Sequence, residues 1–294
     1  MFVMVNSTDL RGALAWGEDF LKRAGIDSPE LTVQLLLCHL TEHDRTELLL
    51  HLEESLSEAH WREFNQLVQK RASGFPLQYL LGECGFYDVT LKVTPGVFIP
   101  RPETEILVEE VLNFFKGKEE AFVLDLGTGS GAIAIALAKN LPGARIVATD
   151  ISLEALRVAR RNAVENNVDD RVFFHASDLF EVFKNEVELQ NRFDAIVSNP
   201  PYIAPEEKES LPKEVRDFEP PEALFAEEEG LFLHRRIIES APTYLKSGGL
   251  LALEVALGQA KKVMELLESE CRFGEVRIRE DLTGIKRVIC SLRT

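Results

Sequence analysis

From residue 121 onward the chain alternates short apolar runs with helical patterns, and no other feature constrains its fold as much. The apolar runs lie at 121–125, 145–149, 172–175, 193–198 and 250–255, with helical patterns at 132–139, 152–166, 231–245 and 260–267. Apolar runs that do not alternate with polar residues are strands buried on both faces, the habit of parallel sheets. Strand and helix in succession place helices on both sides of that sheet. Two last strands, 273–280 and 286–291, turn on Leu282-Thr283-Gly284. The expectation is an α/β fold with a mostly parallel seven-stranded sheet.

The chain before residue 82 reads as helices instead. Leu10, Leu14, Phe20, Leu21 and Ala24 recur near helical spacing. Ser28-Pro29 offers a cap and a first-turn proline for a second helix at 31–40. A third lies at 45–51, and Trp61, Phe64, Leu67 and Val68 form the stripe of a fourth at 57–71, ended by Gly74 and Pro76. None of these can bury its stripe alone, so a small N-terminal helical bundle is expected. Between 82 and 100, Phe86-Tyr87 and Leu91-Lys92-Val93 are strand-like, while Asp88 and Pro95-Gly96 are turn formers, which gives a β-hairpin. The expected division is a helical domain at 1–81, a β-hairpin linker at 82–100 and the sheet-bearing domain at 101–294, opened by a helix at 105–115.

Composition narrows the partners. With 33 Lys and Arg against 49 Asp and Glu, the formal charge is −16, which works against long-range steering of nucleic acid. The best basic run, Arg157, Arg160 and Arg161 with nearby Arg171, falls on the solvent face of a predicted helix. Direct nucleic-acid binding is therefore not expected. No apolar stretch is long enough to span a membrane, the first ten residues lack the marks of a leader peptide, and no lipidation box is present. Cys38, Cys84, Cys271 and Cys290 form no CxxC pair, and His175 and His234 are not spaced with them as zinc ligands, so no metal is expected. Cys38 and Cys290 sit in apolar runs and read as reduced core residues, which fits a cytoplasmic location.

The segment Asp125-Leu126-Gly127-Thr128-Gly129-Ser130-Gly131 stands between a predicted strand and helix. Glycines there let the backbone turn sharply and approach a ligand, and the helix start offers unpaired N–H groups. A dinucleotide loop has its third glycine three after the second, but here Gly131 comes two after Gly129; since Ala132 can stand in for that glycine, spacing alone leaves the ligand open. The acid before the loop discriminates. Asp125 repels a pyrophosphate and suits an ammonium, such as that of the methionine part of S-adenosylmethionine. Asp150 ends the second strand, where a carboxylate accepts from ribose hydroxyls or caps the helix that follows. Asp178 follows the third strand; with Leu179 and Phe180 beside it, it suits an adenine, or is a plain turn aspartate. Three acids at the ends of successive parallel strands mark the edge where open α/β sheets bind ligands.

The fourth strand runs into Ser198-Asn199-Pro200-Pro201-Tyr202. Two prolines fix φ at both positions and push the residue before each out of the helical region, which makes a stiff loop at that edge. The Asn199 side-chain oxygen and the Pro200 carbonyl can accept the two N–H bonds of a planar NH2 group and hold its nitrogen toward a methyl donor. Tyr202 can stack on a flat group such as an amide or a base. The loop at 204–221, rich in proline and acid, shows no clear secondary structure and suits a lid or a substrate-binding role.

Together these motifs resemble the bacterial release factor glutamine N5-methyltransferases, which are Rossmann-like class I methyltransferases, and the likeness covers nearly the whole chain. Phe98-Ile99-Pro100-Arg101-Pro102-Glu103-Thr104-Glu105 resembles the family's domain-joining segment, and Glu219-Pro220-Pro221-Glu222-Ala223-Leu224-Phe225 a later stretch. Asp125 to Gly131 is similar to the methionine-binding loop, Asp150 to the ribose-binding acid, Asp178-Leu179 to the adenine-side contact and Asn199-Pro200-Pro201-Tyr202 to the substrate motif. The resemblance implies S-adenosylmethionine as donor, S-adenosylhomocysteine as by-product, and as acceptor the glutamine of the Gly-Gly-Gln motif of class 1 peptide chain release factors. It implies that the helical domain and the bridging hairpin help to recognise that substrate and that the enzyme is cytoplasmic; a monomer is expected. The chain departs from the family's usual pattern at Asp88, where glycine is frequent, and at Leu179, where an aromatic residue is frequent. The alternative is a nucleic-acid methyltransferase acting on adenine N6 or guanine N2 with the same acceptor geometry. A dinucleotide-dependent dehydrogenase and a non-catalytic binding module fit the site residues less well.

Overall fold

The structure is a computed structural model that describes residues 9–294. The leaderless start read from the first ten residues thus lies, apart from Asp9 and Leu10, outside the described residues. The chain forms two compact units, Met1–Gly82 with Pro212–Phe218, and Glu83–Leu211 with Glu219–Thr294.

The first unit holds the helices Leu10–Arg23, Pro29–Thr41, Arg45–Leu50, Glu58–Ala72 and Leu77–Leu81. Their starts are set by side-chain caps: Asp9 accepts from the Gly12 N–H, Asp44 and Glu47 form a reciprocal capping box, and Ser57 accepts from the His60 N–H. Ser28 differs from expectation. It stands at φ 50°, its hydroxyl caps nothing, and Pro29 alone presets the start of its helix. Leu10, Leu21, Val33, Leu36, Leu37, Leu48, Phe64 and Val68 are fully buried between the helices. Trp16 packs against Trp61 and Phe64 with centroids 5.0 and 5.8 Å apart.

The same unit takes in residues 212–218. Arg71 pairs with Glu214 at 2.6 Å, and the Phe75 ring meets Phe218 edge-on at 5.1 Å. The stretch 204–221 is therefore not structureless, as its composition suggests. It contains the 3-10 turns Pro205–Ser210 and Pro221–Ala223 and the helix Lys213–Phe218. Each begins at or just after a proline, because a ring that fixes φ near −65° presets a helical turn as readily as it ends a strand.

The second unit opens with the hairpin β1 (Glu83–Phe86) and β2 (Val89–Lys92). Its sheet comprises β3 (Ala121–Leu126), β4 (Ala144–Asp150), β5 (Val172–Ala176), β6 (Phe193–Ser198), β7 (Leu245–Glu254), β8 (Arg277–Glu280) and β9 (Lys286–Leu292). The order is β5-β4-β3-β6-β7-β9-β8, parallel from β5 to β7 and antiparallel across β9. Alternate residues of each strand feed two cores. Val123, Ile146, Ala148, Ala195, Val197 and Leu250 face the helices Glu105–Phe114 and Ala132–Asn140. Leu124, Leu126, Ile196, Leu251 and Leu253 face Phe232–Tyr244 and Ala260–Ser269. The last hairpin is shorter than expected: Phe273 joins only by an isolated bridge to Arg293. Cys290 is fully buried, with its thiol pushed up to about 12 by burial, while Cys38 is half-buried. No helix among the described residues is long and apolar enough to cross a membrane.

Candidate active site

The sheet order reverses at β3: β4 and β5 follow on one side, β6 and β7 on the other. Such a switch point opens a crevice at the carboxyl ends of the strands. Leu126 is paired with Ser198, and the Ser198 hydroxyl donates to the Leu126 carbonyl at 2.7 Å. The glycine loop from Gly127 and the motif from Asn199 thus leave the sheet side by side.

Gly127, Gly129 and Gly131 have φ of 69°, 57° and 86°, a region closed to most residues. They serve different ends. A Cβ on Gly127 or Gly129 would meet nothing within 4 Å, so this stretch of backbone lies open to a ligand. A Cβ on Gly131 would lie 2.8 Å from Ile135 Cδ1 and 3.2 Å from Ala159 Cβ, so this glycine lets two helices close up. Thr128 and Ser130, which the sequence places in the ligand loop, are buried. The Thr128 hydroxyl donates to Asp125 Oδ2 at 2.6 Å, and the Ser130 carbonyl accepts from Asn162 at 2.8 Å.

Asp125 is fully buried, and its Oδ1 has no hydrogen-bond partner among the described residues. Burial, countered by the Thr128 hydroxyl and added to by the charge of Asp150, pushes its carboxyl up to about 7. Asp150 accepts from the Gly129 N–H and the Ser152 N–H, both at 2.8 Å. It therefore ties the glycine loop to the next helix, while burial raises its pKa against these hydrogen bonds. Asp178 does not stand open: Arg236 forks onto both its oxygens at 2.9 and 3.0 Å. Leu179 beside it is held at φ 49°.

Asn162 belongs to no motif, although an amide among the apolar positions of the helix Leu153–Glu165 is a signal. Its Oδ1 accepts from the Lys92 N–H at 2.7 Å and its Nδ2 donates to the carbonyls of Lys92 and Ser130 at 3.0 and 2.8 Å. Replacing it with alanine uncovers three backbone groups. The expected loss of unfolding free energy in urea titrations is roughly 2–4 kcal/mol. A loss below about 0.5 kcal/mol, typical of an uninvolved surface position, would show that these hydrogen bonds add nothing to the fold.

At the acceptor motif, Pro200 is buried and no backbone N–H among the described residues takes its carbonyl. Asn199 donates from Nδ2 to Thr104 Oγ1 at 3.1 Å, which turns Oδ1 away from that contact. The Tyr202 hydroxyl donates to Glu254 Oε1 at 3.3 Å, and the Tyr202 carbonyl accepts from Gln259 Nε2 at 2.8 Å. Burial and the neighbouring Glu254 push the Tyr202 hydroxyl well above its usual pKa. Arg101 lies over the Phe98 ring and pairs with the buried Glu219. Sequence reasoning misses Thr104, Glu254, Gln259 and Gly230 as parts of this site. Only Glu254 carries a signal, as an acid inside the apolar run of β7. The basic run is engaged locally: Arg157 with Glu154, Arg161 with Glu165, and Arg160 with the Phe174 carbonyl.

Known proteins sharpen this picture. Residues 12–82 match the family described as PrmC N-terminal domain, and residues 88–214 the Methyltransferase small domain. A release factor glutamine methyltransferase of Rhodopirellula baltica is 38% identical over 280 residues, 94% of this chain and 93% of that protein. One from Thermodesulfovibrio yellowstonii is 40% identical over 259 residues, 87% of this chain and 90% of its own. Among solved structures, the hMettl16 catalytic domain in complex with MAT2A 3'UTR hairpin 6 aligns with a TM-score of 0.54 at 17% identity over 80% of this chain and 82% of its own, a likeness of fold. The sheet is that of a class I methyltransferase, and the chain belongs to the release factor glutamine methyltransferase family.

Proposed function

We propose that this enzyme methylates the side-chain amide nitrogen of the glutamine in the Gly-Gly-Gln motif of peptide chain release factors, with S-adenosylmethionine as donor. The observation that carries the reading is the pair of uncommitted acceptors, Asn199 Oδ1 and the Pro200 carbonyl, just past the end of β6, which pairs with the strand that leads into the glycine loop. The names of the relatives support the substrate, and a cytoplasmic location agrees with it.

The residues present fit the donor. The buried, partnerless Asp125 Oδ1 suits an ammonium, and two acids around the loop disfavour a pyrophosphate. Gly127 and Gly129 leave room for close approach, and the resemblance assigns Asp150 to the ribose and Leu179 to the adenine side, the Asp178 carboxylate being held by Arg236. When bound, the donor supplies a sulfonium-activated methyl group. Asn199 Oδ1 and the Pro200 carbonyl accept the two amide N–H bonds and fix the plane of the NH2 group, and Tyr202 offers its ring for stacking on the amide. As positive charge builds on nitrogen, the same two acceptors bind it more tightly, and one N–H proton then leaves to them or to water.

A pH dependence follows from Asp125. Its carboxyl is pushed from 3.8 to about 7, so its protonated form favours the folded protein below the unfolded value. That contribution is lost as pH rises through about 7. An ammonium ligand reverses the preference and draws out the ionised form. Cofactor binding is expected to release a proton below pH 7, and affinity to rise with pH and then level off. Calorimetry in buffers of different ionisation enthalpy reads the proton directly. Asp125→Asn should abolish it, and an unchanged proton release in that variant overturns the assignment.

The function itself is tested by radiolabelled methyl transfer to a purified release factor, to its Gly-Gly-Gln glutamine-to-alanine variant, and to mixed DNA and RNA. Label on the release factor that is lost in the variant is the expected result. Label only on nucleic acid moves the acceptor to a base and overturns the glutamine reading.

A further inference from the structure

A helix usually opens on a short side chain, Ser, Thr, Asp or Asn, that folds back onto its own first N–H groups. The helix Ala260–Ser269 opens instead on Gln259, and the Gln259 side chain caps nothing. It is nonetheless buried, at 9% exposed, so its amide has to find partners elsewhere.

It finds three, all of them backbone. Nε2 donates to the Tyr202 carbonyl at 2.8 Å and to the Glu229 carbonyl at 3.1 Å, and Oε1 accepts from the Ala256 N–H at 3.3 Å. These partners also fix the sense of the amide. A carbonyl only accepts and an N–H only donates, so the flipped amide would lose all three hydrogen bonds. One side chain thus joins the exit of the acceptor motif, the turn 228–230 ahead of the helix Phe232–Tyr244, and the segment that leaves β7. Gly230 has no Cβ to stand between Gln259 and Tyr202. Lys262 pairs with the Glu229 carboxylate on the outside, but both side chains are exposed and the pair adds little.

The acceptor motif depends on such a hold. It has left the sheet, and Pro200 and Pro201 have no N–H to give to a neighbouring strand. The Asn199 and Tyr202 side chains are held at their tips, by Thr104 and Glu254. Gln259 holds the main chain itself, at the Tyr202 carbonyl. That carbonyl lies two residues from the Pro200 carbonyl, and with φ fixed at both prolines a shift at one end of the motif is carried to the other.

We propose that Gln259 is a positioning residue that holds the main chain of Asn199-Pro200-Pro201-Tyr202 where its two acceptors meet the substrate amide. This rests on the acceptor roles proposed for Asn199 and Pro200. Gln259 touches neither the glycine loop nor Asp150, so its loss acts on turnover and not on the donor.

The test measures kcat and KM for a release factor, cofactor affinity by direct titration and the urea midpoint, in Gln259→Met and Gln259→Glu. Methionine keeps the length and loses all three hydrogen bonds. Glutamate keeps the shape, but its carboxylate sets oxygen against two carbonyl oxygens. Gln259→Met is expected to lower kcat at saturating donor and release factor roughly 10- to 100-fold, and Gln259→Glu at least as much, with cofactor affinity within about twofold in both. KM for the release factor should change less than kcat. A lower urea midpoint with wild-type kcat would reduce Gln259 to packing and overturns the proposal. So does a fall in cofactor affinity that accounts for the whole loss of turnover. If Gln259→Met binds no cofactor it has misfolded, and Gln259→Glu decides: wild-type kcat overturns the proposal, and a reduced kcat with cofactor still bound supports it. Failure of the wild type to label any release factor would sink the function, whereas equal labelling by wild type and variants sinks only the role of Gln259.

Discussion

Replacing Asn199 with alanine is expected to slow methyl transfer about 100- to 1000-fold while leaving cofactor affinity within about threefold. The substitution removes one of the two acceptors proposed for the substrate amide and nothing from the glycine loop, which is anchored separately through Asp150 and Asn162. Its Nδ2 holds only Thr104, so the loss of stability should be small. Asp150→Ala is the mirror image. It frees the Gly129 and Ser152 N–H groups and removes the acid proposed for the ribose, so cofactor affinity should fall first, by about tenfold or more, with turnover of the bound complex less affected. Single-turnover rates at saturating donor, beside direct cofactor titration, separate the two. A parallel fall of cofactor affinity in Asn199→Ala, with the bound complex turning over normally, would place Asn199 on the donor and not on the acceptor.

The sequence displays those parts of the site that are contiguous in the chain. A glycine loop after one strand, an acid after the next and Asn-Pro-Pro-Tyr after the fourth are local patterns, and the αβ alternation brings them to one edge. What stays hidden acts across the chain. Thr104 meets Asn199, Glu254 meets Tyr202, and Arg236 closes on Asp178, each pair joined by tertiary packing that no local spacing encodes. Asp178 shows the consequence: its position is legible, but the partner that occupies its carboxylate is not. The stretch 204–221 misleads for another reason. Its prolines look like breakers, whereas Pro205 and Pro221 each start a helical turn and Pro212 precedes one. Thr128 and Ser130 lie within a ligand loop in sequence, yet their side chains face the interior, because a left-handed glycine on either side alternates the direction of the chain.

Gly230→Ala should combine loss of stability with loss of turnover, although residue 230 belongs to neither the glycine loop nor the acceptor motif. Glu228, Glu229 and Gly230 form a run of left-handed residues at φ 53°, 56° and 81°. The turn brings Gly230 against the acceptor motif so closely that a Cβ would lie 1.9 Å from the Tyr202 carbonyl oxygen and 2.6 Å from Gln259 Nε2. That oxygen is also the one Gln259 holds at 2.8 Å, while a second Gln259 hydrogen bond reaches the Glu229 carbonyl at 3.1 Å. Neither side can yield alone: the clash is with backbone, and moving Gln259 releases both loops. The left-handed backbone itself costs alanine about 1–2 kcal/mol, and with the clash the total should reach roughly 3–4 kcal/mol. A shift of about 1 Å at Tyr202 can lower turnover on the order of 100-fold. Gly284→Ala supplies the control, because Gly284 has the same φ of 81° and a Cβ there would meet nothing within 4 Å. It should lose only the backbone part of the stability and none of the activity. Equal losses in the two variants would mean that strain, and not the contact with Tyr202, is what glycine at 230 relieves.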